Sequence, residues 1–137
     1  MKAFFDSSAF AKRYIEEPGS PEADRLCLAA ERLGLSVICP PEIVSALNRR
    51  VREKRMTAAQ YRAARERLLE DMEDAEVISL TPEVIAQATL LLEASPLRAM
   101  DALHLACAAV WGAEVFVSAD KAQTACAARL KMTARLV

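Results

Sequence analysis

Short apolar runs alternate with segments of helical period along the whole chain, and this alternation limits the folds open to it more than any other feature. The runs are Ala3 to Phe5, "LSVIC" from Leu35, "AEVISL" from Ala75 and "AEVFVSA" from Ala113, with a weaker one near Met132 to Val137. A strand that reaches the next through a helix pairs with it in parallel, and a parallel sheet must be covered on both faces. The expectation is therefore an α/β fold around a mostly parallel sheet. The 137 residues suffice for one domain spanning 1–137 with a sizeable core of its own.

Local punctuation supports this division. Ser7 or Ser8 can cap a first helix carrying Phe10, Tyr14 and Ile15, which Pro18-Gly19 would stop. A second helix is expected from about Pro21 to Arg32, closed by Gly34. Pro40 and Pro41 suit the first turn of a helix with Ile43, Ala46, Leu47 and Val51 along one stripe. Thr57 caps a long helix from about Ala58 to Asp71, and the two helices predict a hairpin projecting from the sheet. Thr81 and Pro82 open the next helix, Pro96 breaks the chain, and "LRAMDALHLACAAVWG" reads as an apolar helix stopped at Gly112. Asp120 opens the last helix.

Composition removes several function classes. Lys and Arg total 18 against 19 Asp and Glu, so overall charge neither attracts nor repels nucleic acid. Four scattered cysteines without a CxxC pair, beside the lone His104, argue against structural zinc and for reduced, buried thiols, as in a cytoplasm. Three glycines cannot build a glycine-rich phosphate loop. The opening "MKAFFDSSAF" is too short in apolar length for a signal peptide, and no run reaches a membrane span, so no membrane association is expected.

Four acids stand out: Asp6, Glu42, Asp101 and Asp120. Each occurs where an apolar run meets a turn or a helix, and in α/β sheets sites form beyond the carboxyl ends of the strands. If they converge, their charge calls for a divalent cation, and carboxylates suit Mg²⁺ or Mn²⁺. Each acid also has a plainer reading. Asp6 and Asp120 can be helix caps, Glu42 a first-turn acid facing the helix dipole, and Asp101 a partner of Arg98 one turn earlier. His104 can serve the metal's surroundings or substrate, or simply bond within the core. Ser7, Ser8 and Thr124 can donate near such a centre or cap helices. Lys12, Arg13, Arg49, Arg50, Arg52 and Lys54 can line an approach for a phosphate backbone or form solvated helix faces.

With these motifs in view, the chain resembles the PIN-domain nucleases, and among them the VapC-like toxins of type II toxin–antitoxin pairs. The resemblance rests on "FFDSSAFAKRY", "CPPEIVSALNRR", "RAMDALHLACAAVWGA" and "VFVSADKA", in order from Asp6 to Asp120. It implies a three-layer α/β/α sandwich, with metal coordination by Asp6, Glu42, Asp101 and Asp120. It implies RNA cleavage by activated water with Mg²⁺ or Mn²⁺, a homodimer, and inhibition by a small cognate antitoxin whose C-terminal segment occupies a groove near the active site. It carries Ser8 over as a polar helper of Asp6 and Arg98 as a basic position before the third acid. The chain departs from the pattern after the fourth acid. Relatives have a leucine and then a glycine-containing turn, whereas Gln123 and Lys131 stand at roughly those positions. One tightly held ion is therefore expected, with a second arriving only with RNA. Two alternatives stay open: a PIN-type nuclease of RNA processing or DNA metabolism, and a noncatalytic PIN-like interaction protein.

Overall fold

A computed structural model describes residues 1–137. Five strands form one sheet: β1 (Lys2–Phe5), β2 (Arg32–Ser36), β3 (Glu76–Ile78), β4 (Val115–Ser118) and β5 (Thr133–Leu136). Their order is β3-β2-β1-β4-β5, and every neighbouring pair is parallel. The weak C-terminal run is thus a true edge strand. Seven helices connect the strands: α1 (Ser7–Phe10), α2 (Ser20–Ala29), α3 (Cys39–Arg52), α4 (Ala58–Glu73), α5 (Pro82–Ala94), α6 (Ala99–Trp111) and α7 (Lys121–Arg129).

The pleat of β1 explains the three layers. Ala3 and Phe5 point to one face and join a core with Leu35, Val117 and residues of α1 to α4, while Phe4 points to the other. There it packs with Phe116 and residues of α5, α6 and α7. Successive side chains of a strand face opposite ways, so a central strand buried on both sides must be apolar at every position. Phe4, Phe5 and Phe116 are all fully buried. The chain is the expected α/β/α sandwich.

Several helix ends follow their predicted chemistry. Thr57 and Gln60 form a reciprocal capping box, Thr81 accepts from the Val84 N–H, and Gly112 stops α6 at φ 80°. No helix is long and apolar enough to cross a membrane. All four cysteines are free and buried.

Other boundaries differ. The first helix is a single α turn followed by a 3-10 turn at Ala11–Arg13, and its cap is Asp6 rather than Ser7 or Ser8. Helix α2 ends at Ala29, and Gly34 is a residue of β2. A Cβ at Gly34 would lie 2.7 Å from the Trp111 ring, so glycine here admits an aromatic from α6 onto the strand. Strand β2 also ends at Ser36, and Cys39 already belongs to α3. Helices α3 and α4 pack on each other as the expected pair, and Leu47, Ala64 and Leu68 tie them into the core on that side of the sheet. Lys131 takes φ 67° before β5, the left-handed turn for which glycine is the usual residue.

Candidate active site

Strand order reverses at β1. The chain runs outward through β2 and β3, then returns to the other side of β1 as β4, and this change of direction opens a crevice at the strands' carboxyl ends. Asp6 follows β1 directly, and its N–H donates to the Val117 carbonyl of β4 at 3.1 Å, which pins it between the two strands.

Asp6 is 1% exposed, an unusual position for a carboxylate. Four groups supply its hydrogen bonds. Ser8 Oγ donates to Oδ1 and Oδ2 at 2.7 and 2.9 Å, and the Ala9 N–H to Oδ1 at 2.9 Å. Ser118 Oγ and Gln123 Nε2 donate to Oδ2 at 2.6 and 2.8 Å. Burial still pushes the Asp6 carboxyl above its usual value, against the pull of Ser118, the Ala9 N–H, His104 and Ser8.

Asp101 lies in the first turn of α6, across from Asp6. The same Gln123 Nε2 donates to its Oδ1 at 3.1 Å, so one amide nitrogen bridges the two acids. Burial raises the Asp101 pKa, and the charges of Asp120 and Asp6 raise it further. Asp120 caps α7, its Oδ1 accepting from the Gln123 N–H at 3.0 Å. These three acids therefore meet around the start of α7.

Glu42 stands to one side, in the first turn of α3. Its Oε1 accepts from Ser7 Oγ at 2.7 Å and from His104 Nε2 at 2.5 Å. Partial burial works against its charge, but the bonds from His104 and Ser7 prevail and hold the carboxyl below its ordinary value. The imidazole is 2% exposed and its Nδ1 has no partner. A proton left on Nδ1 would be a buried orphan donor, so the partners assign the Nε2–H tautomer, aimed at Glu42. Beyond Glu42 an open cleft of about 370 Å³ is lined by Ile38, Pro41, Ser45, Ala46, Arg49 and Met100.

Two expected helpers are elsewhere. Arg98 caps α6 with its backbone and is exposed, and no ion pair joins it to Asp101, although its charge still lowers the Asp101 pKa slightly against the larger raising effects. Thr124 bonds back to the Lys121 carbonyl of its own helix at 3.0 Å, so its hydroxyl is spent within α7 rather than turned to the acids. Ser118 and Gln123 were the donors not anticipated. A signal for Gln123 was available, since it shares an inward stripe of α7 with Cys126 and Ala127, where an amide needs partners.

The donor chemistry fits a hard divalent cation: carboxylate oxygens of Asp6 and Asp101 converge on a single point, with Asp120 near. As the chain stands, no three His, Cys, Asp or Glu side chains are grouped closely enough to hold an ion. Between Asp6 and Asp101 the Gln123 amide takes up one oxygen of each acid. Its own carbonyl, Oε1, is buried without a partner.

Comparison with known proteins agrees with this architecture. The PIN domain family matches residues 3–128. VapC20 of Mycobacterium tuberculosis, described as a toxin cleaving the sarcin–ricin loop, superposes with a TM-score of 0.71 at 20% identity over 90% of this chain and 94% of that one. FitAcB from Neisseria gonorrhoeae gives a TM-score of 0.73 at 13% identity, covering 96% and 95%. A toxin–antitoxin complex from Klebsiella pneumoniae gives 0.68 at 15%, covering 90% of each chain. At these identities the likeness is one of fold. No curated protein matches by sequence.

Proposed function

The chain belongs to the PIN-domain family, and from that premise we propose that it is a metal-dependent endoribonuclease, the toxin of a toxin–antitoxin pair. The observation that carries this reading is the meeting of Asp6, Asp101 and Asp120 at the reversal of strand order, with Glu42 alongside. Burying carboxylates is costly unless a cation offsets them: burial raises the Asp6 carboxyl, and burial together with the charges of Asp120 and Asp6 raises that of Asp101.

Asp6 and Asp101 would hold Mg²⁺ or Mn²⁺, with Asp120 completing the set. What the ion supplies in such a site is charge neutralisation at the scissile phosphate and a more acidic water. Rigid placement is the contribution of this chain. Asp6 is fixed by β1 and by Ser8, Ser118 and the Ala9 N–H, so its oxygens present a constant geometry. Glu42, kept ionised by His104 and Ser7, orients the attacking water and accepts its proton. The cleft past Glu42, with Arg49 on its wall, suits an RNA phosphate, and the same groove suits the C-terminal segment of an antitoxin. The chain acts as a homodimer in this reading.

A rival reading, a PIN-like protein whose acids only hold the fold together, draws on the internal donors that bond every one of the four carboxylates. One experiment separates the two. Wild type and Asp101→Asn are compared on a mixed RNA pool with Mg²⁺, with Mn²⁺ and with chelator, from matched preparations. Cleavage that needs metal and disappears in the variant supports the nuclease; a variant retaining both cleavage and metal affinity would sink the assignment.

A further inference from the structure

We propose that Gln123 is an internal stand-in for the cation, whose amide must leave the Asp6–Asp101 pair before an ion can enter. This rests on the nuclease reading above and adds a residue that sets how tightly the ion is held. Three observations support it. First, Nε2 lies 2.8 Å from Asp6 Oδ2 and 3.1 Å from Asp101 Oδ1, so its two protons are directed at two carboxylates at once. An amide NH₂ has two donors and no lone pair to offer, which makes it the neutral group best able to bridge two anions. Second, the side chain is 2% exposed, yet Oε1 has no partner. The pose is held from one end only, by the two acids, and nothing secures the carbonyl. Third, the backbone is tied independently. The Gln123 N–H bonds Asp120 Oδ1 at 3.0 Å, so the side chain can move without unwinding the start of α7.

Amide and cation compete for one place, because Nε2 occupies the space between Asp6 Oδ2 and Asp101 Oδ1 that an ion held by both acids would need. In the metal-free chain the amide relieves the repulsion between the acids. A bound ion relieves it more completely and displaces the amide. Gln123 therefore lowers metal affinity while stabilising the empty site, and it prevents the acids from being left bare when no ion is present.

Gln123→Met tests this, since methionine keeps the length and unbranched shape but has no donor. Binding of Mn²⁺ alone is followed by calorimetry, with thermal unfolding in chelator. The variant is expected to bind Mn²⁺ about tenfold more tightly, the equivalent of one charge-assisted hydrogen bond, and to melt at a lower temperature than wild type without metal. In parallel, the side-chain NH₂ resonances of Gln123 in the wild-type protein are followed by NMR through a Mg²⁺ titration, which needs no variant. They are expected to shift on saturation as the amide leaves the acids. Equal or weaker Mn²⁺ binding by Gln123→Met, or NH₂ resonances unmoved at saturating Mg²⁺, overturns the stand-in while leaving the nuclease reading intact. If the wild-type protein binds neither ion, the nuclease reading falls and the stand-in falls with it.

Discussion

The acids divide into two halves that solve the same problem in opposite ways. Asp6 and Asp101 share an amide bridge and still sit above their usual pKa, Asp6 because burial outweighs its donors and Asp101 because burial is joined by the charges of Asp120 and Asp6. Glu42 is also partly buried but sits below its usual value, because an imidazole and a hydroxyl converge on one oxygen. The first half is charge in search of a counter-ion, and the second is charge already settled. A cation belongs to the first and a proton acceptor to the second, and each residue's surroundings suit that division.

The comparison breaks most visibly at Asp6. Asp6→Ala removes the cap of α1 and leaves the buried Ser118 hydroxyl and the Ala9 N–H short of a partner. The expected loss of cleavage is about 10³-fold, of the order seen when one preorganised electrostatic group is removed. Stability should fall by about 2 kcal/mol, the combined cost of a lost cap and an orphaned donor. Single-turnover cleavage and urea unfolding measure the two. A variant as stable as wild type would show that Asp6 is tolerated by its neighbours rather than held by them.

His104 gives the next largest effect and sharpens the other half. In His104→Phe, Glu42 keeps only Ser7, and partial burial then raises its carboxyl. Cleavage should drop about 10–100-fold, as for other lost supporting bonds, and the acid limb of the pH–rate profile should move to higher pH. His104→Gln, which can return an N–H to Glu42, should recover part of the rate and move the limb back. A rate loss without movement of the limb would mean that the imidazole acts only through packing.

How much of this could be read from the sequence depended on distance along the chain. Caps are local, so Thr57, Thr81, Gly112 and Asp120 were legible from their neighbours, as was the rhythm of strand and helix. Gly34 was misread as a helix stop because its reason lies in Trp111, which arrives from α6. The acids could be named because position after a strand is itself a local property. Ser7 and Ser8 could be named as donors for the same local reason, and His104 as a candidate, but the long-range pairings could not: Ser118 and Gln123 reach Asp6 across 112 and 117 residues, and His104 reaches Glu42 across 62. Arg98 shows the converse, since a charge one turn from Asp101 in sequence makes no ion pair with it when the side chain turns to solvent. Sequence proximity names candidates; the fold chooses the partners.

The smallest effect, and the one that tests the division most directly, is in stability against pH without metal. Asp101 has a raised folded pKa, so its contribution is most favourable below the ordinary 3.8 and is lost as pH rises through the folded value. At neutral pH the wild-type chain bears that cost in full. Asp101→Asn does not, while its Oδ1 can still accept from Gln123. Glu42 has a lowered folded pKa, so its contribution is present above the ordinary 4.5 and is lost as pH falls through the folded value. Glu42→Gln forfeits it at neutral pH. In thermal scans at pH 7.5 with chelator, Asp101→Asn should therefore melt above wild type and Glu42→Gln below it, each by about 1–3 °C given the partial exposure of both groups. Both differences should shrink toward zero as the pH is lowered past the carboxylate range, where wild type becomes neutral at these positions too. Two shifts of the same sign would mean that the acids share one environment, and the separation into a metal-seeking half and a proton-accepting half would have to be given up.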